Sequence, residues 1–307
     1  MVLRYYDTTK NFGDLLNPLI FSHYLPEFFD GNPKTIFLGI GTILGLLKGN
    51  KDTNRILVFS SGYAPDDKKM YGEPPVLDEK YEFYCVRGPL TAKALKLDPA
   101  LAISDGALLL KNMPFMPVEK EFECAYMPHH VTEGIFEGWK KLMLLDGIHY
   151  ISPQGDPISI IEQIRKSKLL ITEAMHGAIV ADVFRVPWIP VKSSAHINQF
   201  KWDDWAMSLG LEFSLHPLKS LFGDRIIRKM LAEKFKLTKY QPVNYVASEV
   251  YKATRQKKRK KAVLKELRTL RTGKYYLSDE KVLDKKIAQL TEKLKMINEI
   301  YSDRLAY

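Results

Sequence analysis

Short apolar runs that end in glycine or serine recur through the first two-thirds of the chain. Thr35 to Leu38 and Arg55 to Phe59 are of this kind, the pattern of strands buried on both faces of a parallel sheet. Pro89 to Leu97 reads as a helix, opened by proline in its first turn and closed before Asp98-Pro99. Further on, His149 to Ile151 predicts a strand, Pro157 to Ser167 an amphipathic helix and Leu169 to Thr172 a strand. Gly177 to Phe184 then predicts a helix and Trp188 to Val191 a strand. Alternation of this kind calls for a parallel sheet with right-handed crossovers, helices on both faces, and ligands at the carboxyl ends of the strands. Two prolines interrupt any regular element at Met113-Pro114-Phe115-Met116-Pro117, so the chain divides there into an α/β lobe over residues 1–115 and a second over 116–220.

After His216-Pro217 the pattern turns helical, and residues 221–307 form a basic helical tail. Seven of the ten residues from Lys252 to Lys261 are basic. Leu283, Ile287, Leu290, Leu294 and Ile297 follow at alternating spacings of four and three. Such a seam suits either a short coiled coil, through which the chain would form a homo-oligomer, or one amphipathic helix docked on its own body.

Charge changes the picture only once it is located. The net charge is +10, and residues 252–307 carry 17 Lys and Arg against 7 Asp and Glu, so the remaining body is neutral. A charge confined to an appendage lowers the nucleic-acid reading, because a domain that tracks phosphates carries its basic residues on the folded surface among aromatics. No apolar stretch approaches the length of a bilayer span and the start lacks the features of a secretory signal. The two cysteines, Cys85 and Cys124, form no C-x-x-C pair, which fits a reducing, cytoplasmic home.

Candidate chemistry sits where strands hand over to helices, since backbone N–H groups there point at anions. The stretches are Asn11-Phe12-Gly13-Asp14, Gly39-Ile40-Gly41-Thr42, Val86-Arg87-Gly88-Pro89 and Glu173-Ala174-Met175-His176-Gly177. Arg87 is either a fork for a carboxylate or phosphate or one partner of a structural ion pair. His176 is either a packed, hydrogen-bonded ring or a catalyst. His129 and His130 are adjacent and so point apart, so no shared metal ion is expected and one of them is left to line the cleft. Asp105 reads as an N-cap, whereas Gly13 leaves Asp14 open to a ligand.

In this order, and with Ser104-Asp105-Gly106-Ala107 and the run Ile171 to Asp182 added, these motifs resemble the polysaccharide pyruvyl transferase family. Ile151-Ser152-Pro153-Gln154-Gly155-Asp156-Pro157 also fits, and the resemblance covers roughly residues 1 to 215. It implies two Rossmann-like lobes in a GT-B-like pair around a cleft. It also implies transfer of pyruvate from phosphoenolpyruvate, the donor substrate, to a glycan or lipid-linked oligosaccharide as a ketal, and no further cofactor is expected.

The family associates the arginine of its R-G-P motif and the histidine before the glycine with phosphoenolpyruvate, which maps onto Arg87 and His176. The catalytic candidates are then His176, Asp14 and Glu173, the last two as bases for a hydroxyl. Arg87, Gly88, Gly177, Asn11, Gly41, Thr42, His130 and Lys192 are the substrate-binding candidates. Ala174 stands where many members have arginine, and Arg185, Lys192 or His196 are candidates to replace it. Residues 252–261 are expected to meet an anionic membrane at its inner face. The rivals are a GT-B glycosyltransferase using a nucleotide sugar and a non-catalytic scaffold acting through the basic tail.

Overall fold

The computed structural model describes residues 1–46, 52–235 and 242–305. The chain begins with β1 (Val2–Arg4), α1 (Phe12–Tyr24), β2 (Thr35–Leu38), β3 (Arg55–Phe59), α2 (Lys68–Tyr71), β4 (Tyr81–Cys85) and α3 (Pro89–Ala94). The four strands lie side by side in chain order, all parallel. Ile36 stands opposite Ile56 and Phe37 opposite Leu57. Past their first residues β2 and β3 are wholly buried, which is why they read as unbroken apolar runs. From α1, Phe21 meets Phe37 and Phe59 edge-on, with centroids at 4.9 and 5.6 Å.

The second lobe runs through β5 (Ala125–Met127), α4 (His130–Ile135), α5 (Trp139–Leu144), β6 (His149–Tyr150), α6 (Pro157–Arg165) and β7 (Leu170–Thr172). It continues with α7 (Met175–Val183), β8 (Trp188–Lys192), α8 (Gln199–Ser208) and β9 (His216–Pro217). Its strand order is β6-β5-β7-β8-β9, again parallel. The α6 helix shows why the local pattern was readable. Asp156 accepts the Ser159 N–H at 2.8 Å, Pro157 fills the first turn, and Ile160, Ile161 and Ile164 turn inward.

Four further helices follow: α9 (Asp224–Phe235), α10 (Pro242–Tyr251), α11 (Lys257–Arg271) and α12 (Glu280–Leu305). They do not trail away from the body. Val263 and Leu267 of α11 are buried in the second lobe. The seam Leu283, Ile287, Leu290, Leu294 and Ile297 of α12 is buried in a core shared with α1, α6 and α7. A docked helix and a coiled coil demand the same spacing, and the fold takes the docked form. Burying a Leu or Ile side chain is worth about 1.5–3 kcal/mol, so the seam is satisfied within one chain.

At its far end α12 reaches the first sheet, where the Tyr301 hydroxyl bonds Glu82 at 2.9 Å and receives Arg55 at 3.3 Å. At its near end the chain is anchored by Asp182, the last residue of the longest sequence motif. This fully buried carboxylate accepts the Trp188 indole N–H at 3.0 Å, the Ser278 N–H at 2.8 Å and the Ser278 hydroxyl.

A candidate active site between the lobes

The carboxyl ends of the two sheets converge on one cleft. The first lobe contributes Asn11, Gly13 and Asp14 from the start of α1, and Gly41 and Thr42 from the loop after β2. The second contributes His129, Glu173 and His176 after β5 and β7, and His196, Asn198 and Lys201 after β8. A backbone bond from Phe12 N–H to the Pro153 carbonyl, 2.8 Å, joins the two walls.

Buried polar residues set the loops. Asn17 donates to the Ile40 carbonyl at 3.0 Å and accepts the Ile40 N–H at 2.7 Å. A Cβ on Gly39 would lie 2.2 Å from the Asn17 carboxamide oxygen, so only glycine admits this clamp. Gly41 follows with φ of +124°, a conformation glycine adopts freely.

His176 is held between two motifs. A Cβ on Gly13 would fall 2.0 Å from its Nδ1, so the ring lies directly on the first turn of α1. Its Nε2 stands 3.4 Å from Oδ2 of Asp105, which is fully buried. The other Asp105 oxygen accepts the Ala107 N–H at 2.9 Å, the cap the sequence suggested. Neither His176 Nε2 nor Asp105 Oδ2 makes an aligned hydrogen bond.

Three more ionisable groups share the cleft. Burial raises the Asp14 carboxyl above its usual value, opposed by the Asn11 amide, which donates to it at 2.6 Å, and by His176 and Lys201. Lys201 is lowered to about 8, first by desolvation and then by Arg87, against the pull of Asp14, Asp105 and Asp66. Its ammonium lies 3.4 Å from the Tyr71 hydroxyl and 5.2 Å from the centre of that ring. Burial drives His129 down to about 2, so it is a neutral acceptor, and its Nδ1 takes the Val131 N–H at 3.4 Å.

Of the residues expected to bind or react, His176, Asp14, Glu173, Asn11, Gly41 and Thr42 line the cleft. Others do not. Arg87 is completely buried behind Thr42, with Nε on Asp204 at 2.9 Å and Nη1 on the Thr42 hydroxyl at 2.6 Å. Asp204 also accepts the Thr91 N–H at 2.9 Å and the Thr91 hydroxyl at 2.6 Å. Arg87 is thus the ion-pair partner that ties α8 of the second lobe to α3 of the first.

Gly88 permits the same contact, since a Cβ there would strike the Asp204 carbonyl oxygen at 1.9 Å. Gly177 likewise packs α7 on its sheet, since a Cβ there would fall 2.8 Å from Met127 Sδ. His130 packs against His129 with centroids 4.3 Å apart, and it is His129 that faces the cleft. Lys192 ends β8 away from the lining, and Arg185 is engaged with Ser278, 2.8 Å from its carbonyl. Glu173 also reaches the cleft, where its oxygens accept the Ser193 N–H at 2.8 Å and the His129 N–H at 3.1 Å, so it braces two loops.

Sequence reasoning missed Lys201 and the second face of Asp105, and of the two adjacent histidines it chose His130 where His129 lines the cleft. Lys201 did leave a signal. Asn198 caps α8 by accepting the Lys201 N–H at 3.0 Å, which puts a cation in a helix's first turn, against the dipole. Among the described residues no three His, Cys, Asp or Glu side chains are grouped as a metal site requires. No helix of the described residues is long and apolar enough to cross a membrane.

Fold and cleft define an α/β protein of two parallel-sheet lobes with a histidine–carboxylate pair and a lysine at the strand ends, where such sheets take their ligands. The chain belongs to the polysaccharide pyruvyl transferase family. The family model for Polysaccharide pyruvyl transferase matches residues 8–194, more than half of the 307 residues. The chain is also similar to the succinoglycan biosynthesis protein ExoV of Rhizobium meliloti (strain 1021), at 38% identity over 207 residues. The match spans 66% of this chain and 63% of that relative, less than two-thirds of its length.

Proposed function

We propose that the protein transfers pyruvate from phosphoenolpyruvate to two hydroxyls of a sugar in an exopolysaccharide, capsule or cell-wall precursor, closing a cyclic ketal. Family membership and the likeness to a protein named for succinoglycan biosynthesis support the reading. The observation that carries it is the His176–Asp105 pair opening on a cleft that also holds Lys201. The two lobes are read as a GT-B-like pair, with the donor between the strand ends.

Phosphoenolpyruvate brings a carboxylate and a phosphate, and Lys201 is the cation that receives one of them. It takes the place left by Ala174, where the resemblance expects an arginine. Protonation of the methylene carbon turns it into a methyl group and leaves an oxocarbenium-like centre. His176 gives that proton, and Asp105 stabilises the imidazolium that must form beforehand. A first hydroxyl adds to the cation and loses its proton. Phosphate then leaves with the C–O bonding pair, and a second hydroxyl adds and loses its proton. One proton has entered the methyl group and two have left the sugar, one of them carried off on hydrogen phosphate. Asp14 is the base placed to accept a hydroxyl proton.

Thermal shift tests the donor directly, because a ligand of the folded state raises the melting temperature. Phosphoenolpyruvate is expected to stabilise the wild type and not Lys201→Met. Stabilisation by nucleotide sugars in its place would make the protein a glycosyltransferase.

A further inference from the structure

The outer face of the second lobe carries unpaired positive charge beside exposed leucines. While α11 turns Val263 and Leu267 into the core, Lys257, Lys258, Lys261, Lys265 and Arg268 are exposed. The steps of four, four and three from Lys257 to Arg268 keep them on one side of the helix. Among the described residues the four lysines have no carboxylate partner.

Packed beside α11 is α5, whose Trp139, Leu142 and Met143 are buried while Lys140, Lys141, Leu144 and Leu145 face outward. Leu144 and Leu145 are 76% and 75% exposed. The next residue, Asp146, receives Arg268 Nε at 2.6 Å, and its carbonyl takes Arg271 at 3.2 Å. The leucine pair and the basic stripe therefore belong to one continuous surface.

The sequence placed the charge on residues 252–261, and the fold redistributes it. Arg259 and Lys260 turn inward over Phe222 and Phe136, at 5.4 and 5.2 Å from the ring centres. Lys265, Lys140 and Lys141 join the face instead, while Arg268 is paired with Asp146. Lysines above a pair of exposed leucines are suited to a charged boundary with an apolar interior beneath it. A soluble polyanion would give the leucines nothing to contact.

We infer that the face formed by α5 and α11 rests on an anionic phospholipid surface, with Leu144 and Leu145 below the headgroups and the lysines among them. The inference is independent of the donor chemistry in the cleft.

Co-sedimentation of the full chain with vesicles tests it, using equimolar phosphatidylglycerol and phosphatidylcholine against phosphatidylcholine alone at low and moderate salt. Binding is expected only to the anionic vesicles and weakens as salt shortens the screening length. Each lysine near such a surface is worth about fivefold in partitioning, so Lys257→Glu, Lys258→Glu, Lys261→Glu and Lys265→Glu together should lower it at least about a hundredfold. Leu144→Ser with Leu145→Ser is expected to weaken binding at both salt concentrations. These residues are exposed, so melting temperatures should stay within about a degree. Undiminished binding by the lysine variant overturns the inference. So does a leucine variant that binds vesicles as the wild type does, with heparin bound equally well by both, because the face would then be a site for soluble polyanions.

Discussion

If Arg87 clamps the lobes, removing its partner must cost more than removing Arg87 itself. In Asp204→Ala the guanidinium stays fully buried, keeping only Thr42 at 2.6 Å, and the Thr91 N–H loses its acceptor. An uncompensated buried charge costs about 3–5 kcal/mol, and an orphaned buried N–H about 1–3 more. At about 2–4 °C per kcal/mol the melting temperature should fall by at least about 8 °C. In Arg87→Met, Asp204 still accepts two bonds from Thr91, so the loss is smaller. The double variant has no orphaned charge and should be more stable than Asp204→Ala alone, a coupling that thermal or denaturant unfolding of the three proteins reads directly. A double variant less stable than Asp204→Ala would refute the clamp. So would an Arg87→Met protein that melts like the wild type yet no longer responds to phosphoenolpyruvate, because Arg87 would then be a direct ligand fork.

Other consequences concern the cleft. His176→Ala should lower turnover about a hundredfold to ten-thousandfold in a phosphate-release assay with the fold intact. Gly13→Ala should do much the same, because its Cβ cannot coexist with the ring 2.0 Å away. Lys201 falls to about 8 from 10.5, so donor affinity should decline as pH rises through that lowered value and the cation is lost. Stability has the opposite sign: between about pH 8 and 10.5 the unfolded chain binds more protons, so wild-type stability should rise across that window and that of Lys201→Met should not. Asp182→Ala leaves the Trp188 indole and the Ser278 N–H without an acceptor, costing about 1–3 kcal/mol each, and should free the start of α12 for amide exchange.

Much of the sheet was legible because parallel strands buried on both faces leave unbroken apolar runs. Thr35–Leu38 and Arg55–Phe59 are strands with the expected ends. Where a proline and a capping aspartate coincide, as at Asp156-Pro157, the helix start was also readable. The α12 seam was ambiguous because i, i+4, i+7 spacing records an apolar stripe and not what covers it.

At the site, motifs pointed to His176 and Asp14, which line the cleft, and left Arg87 open, since a guanidinium beside a glycine reads alike as ligand fork and as ion pair. Its partner Asp204 lies 117 residues away and leaves no local trace. Asp105 was legible as a cap because capping is local. Its second oxygen meets His176 only through the tertiary fold.

The proposed transfer turns on protonation of the donor's methylene carbon. The protein should be incubated in heavy water with phosphoenolpyruvate and lipid-linked oligosaccharide acceptors, and the glycan product examined by mass spectrometry and NMR. The expected product is a pyruvyl ketal whose methyl group carries one deuterium, formed with one phosphate released, by the wild type and not by His176→Ala. A glycan that gains a sugar in place of pyruvate, or a ketal made equally fast without His176, would contradict it.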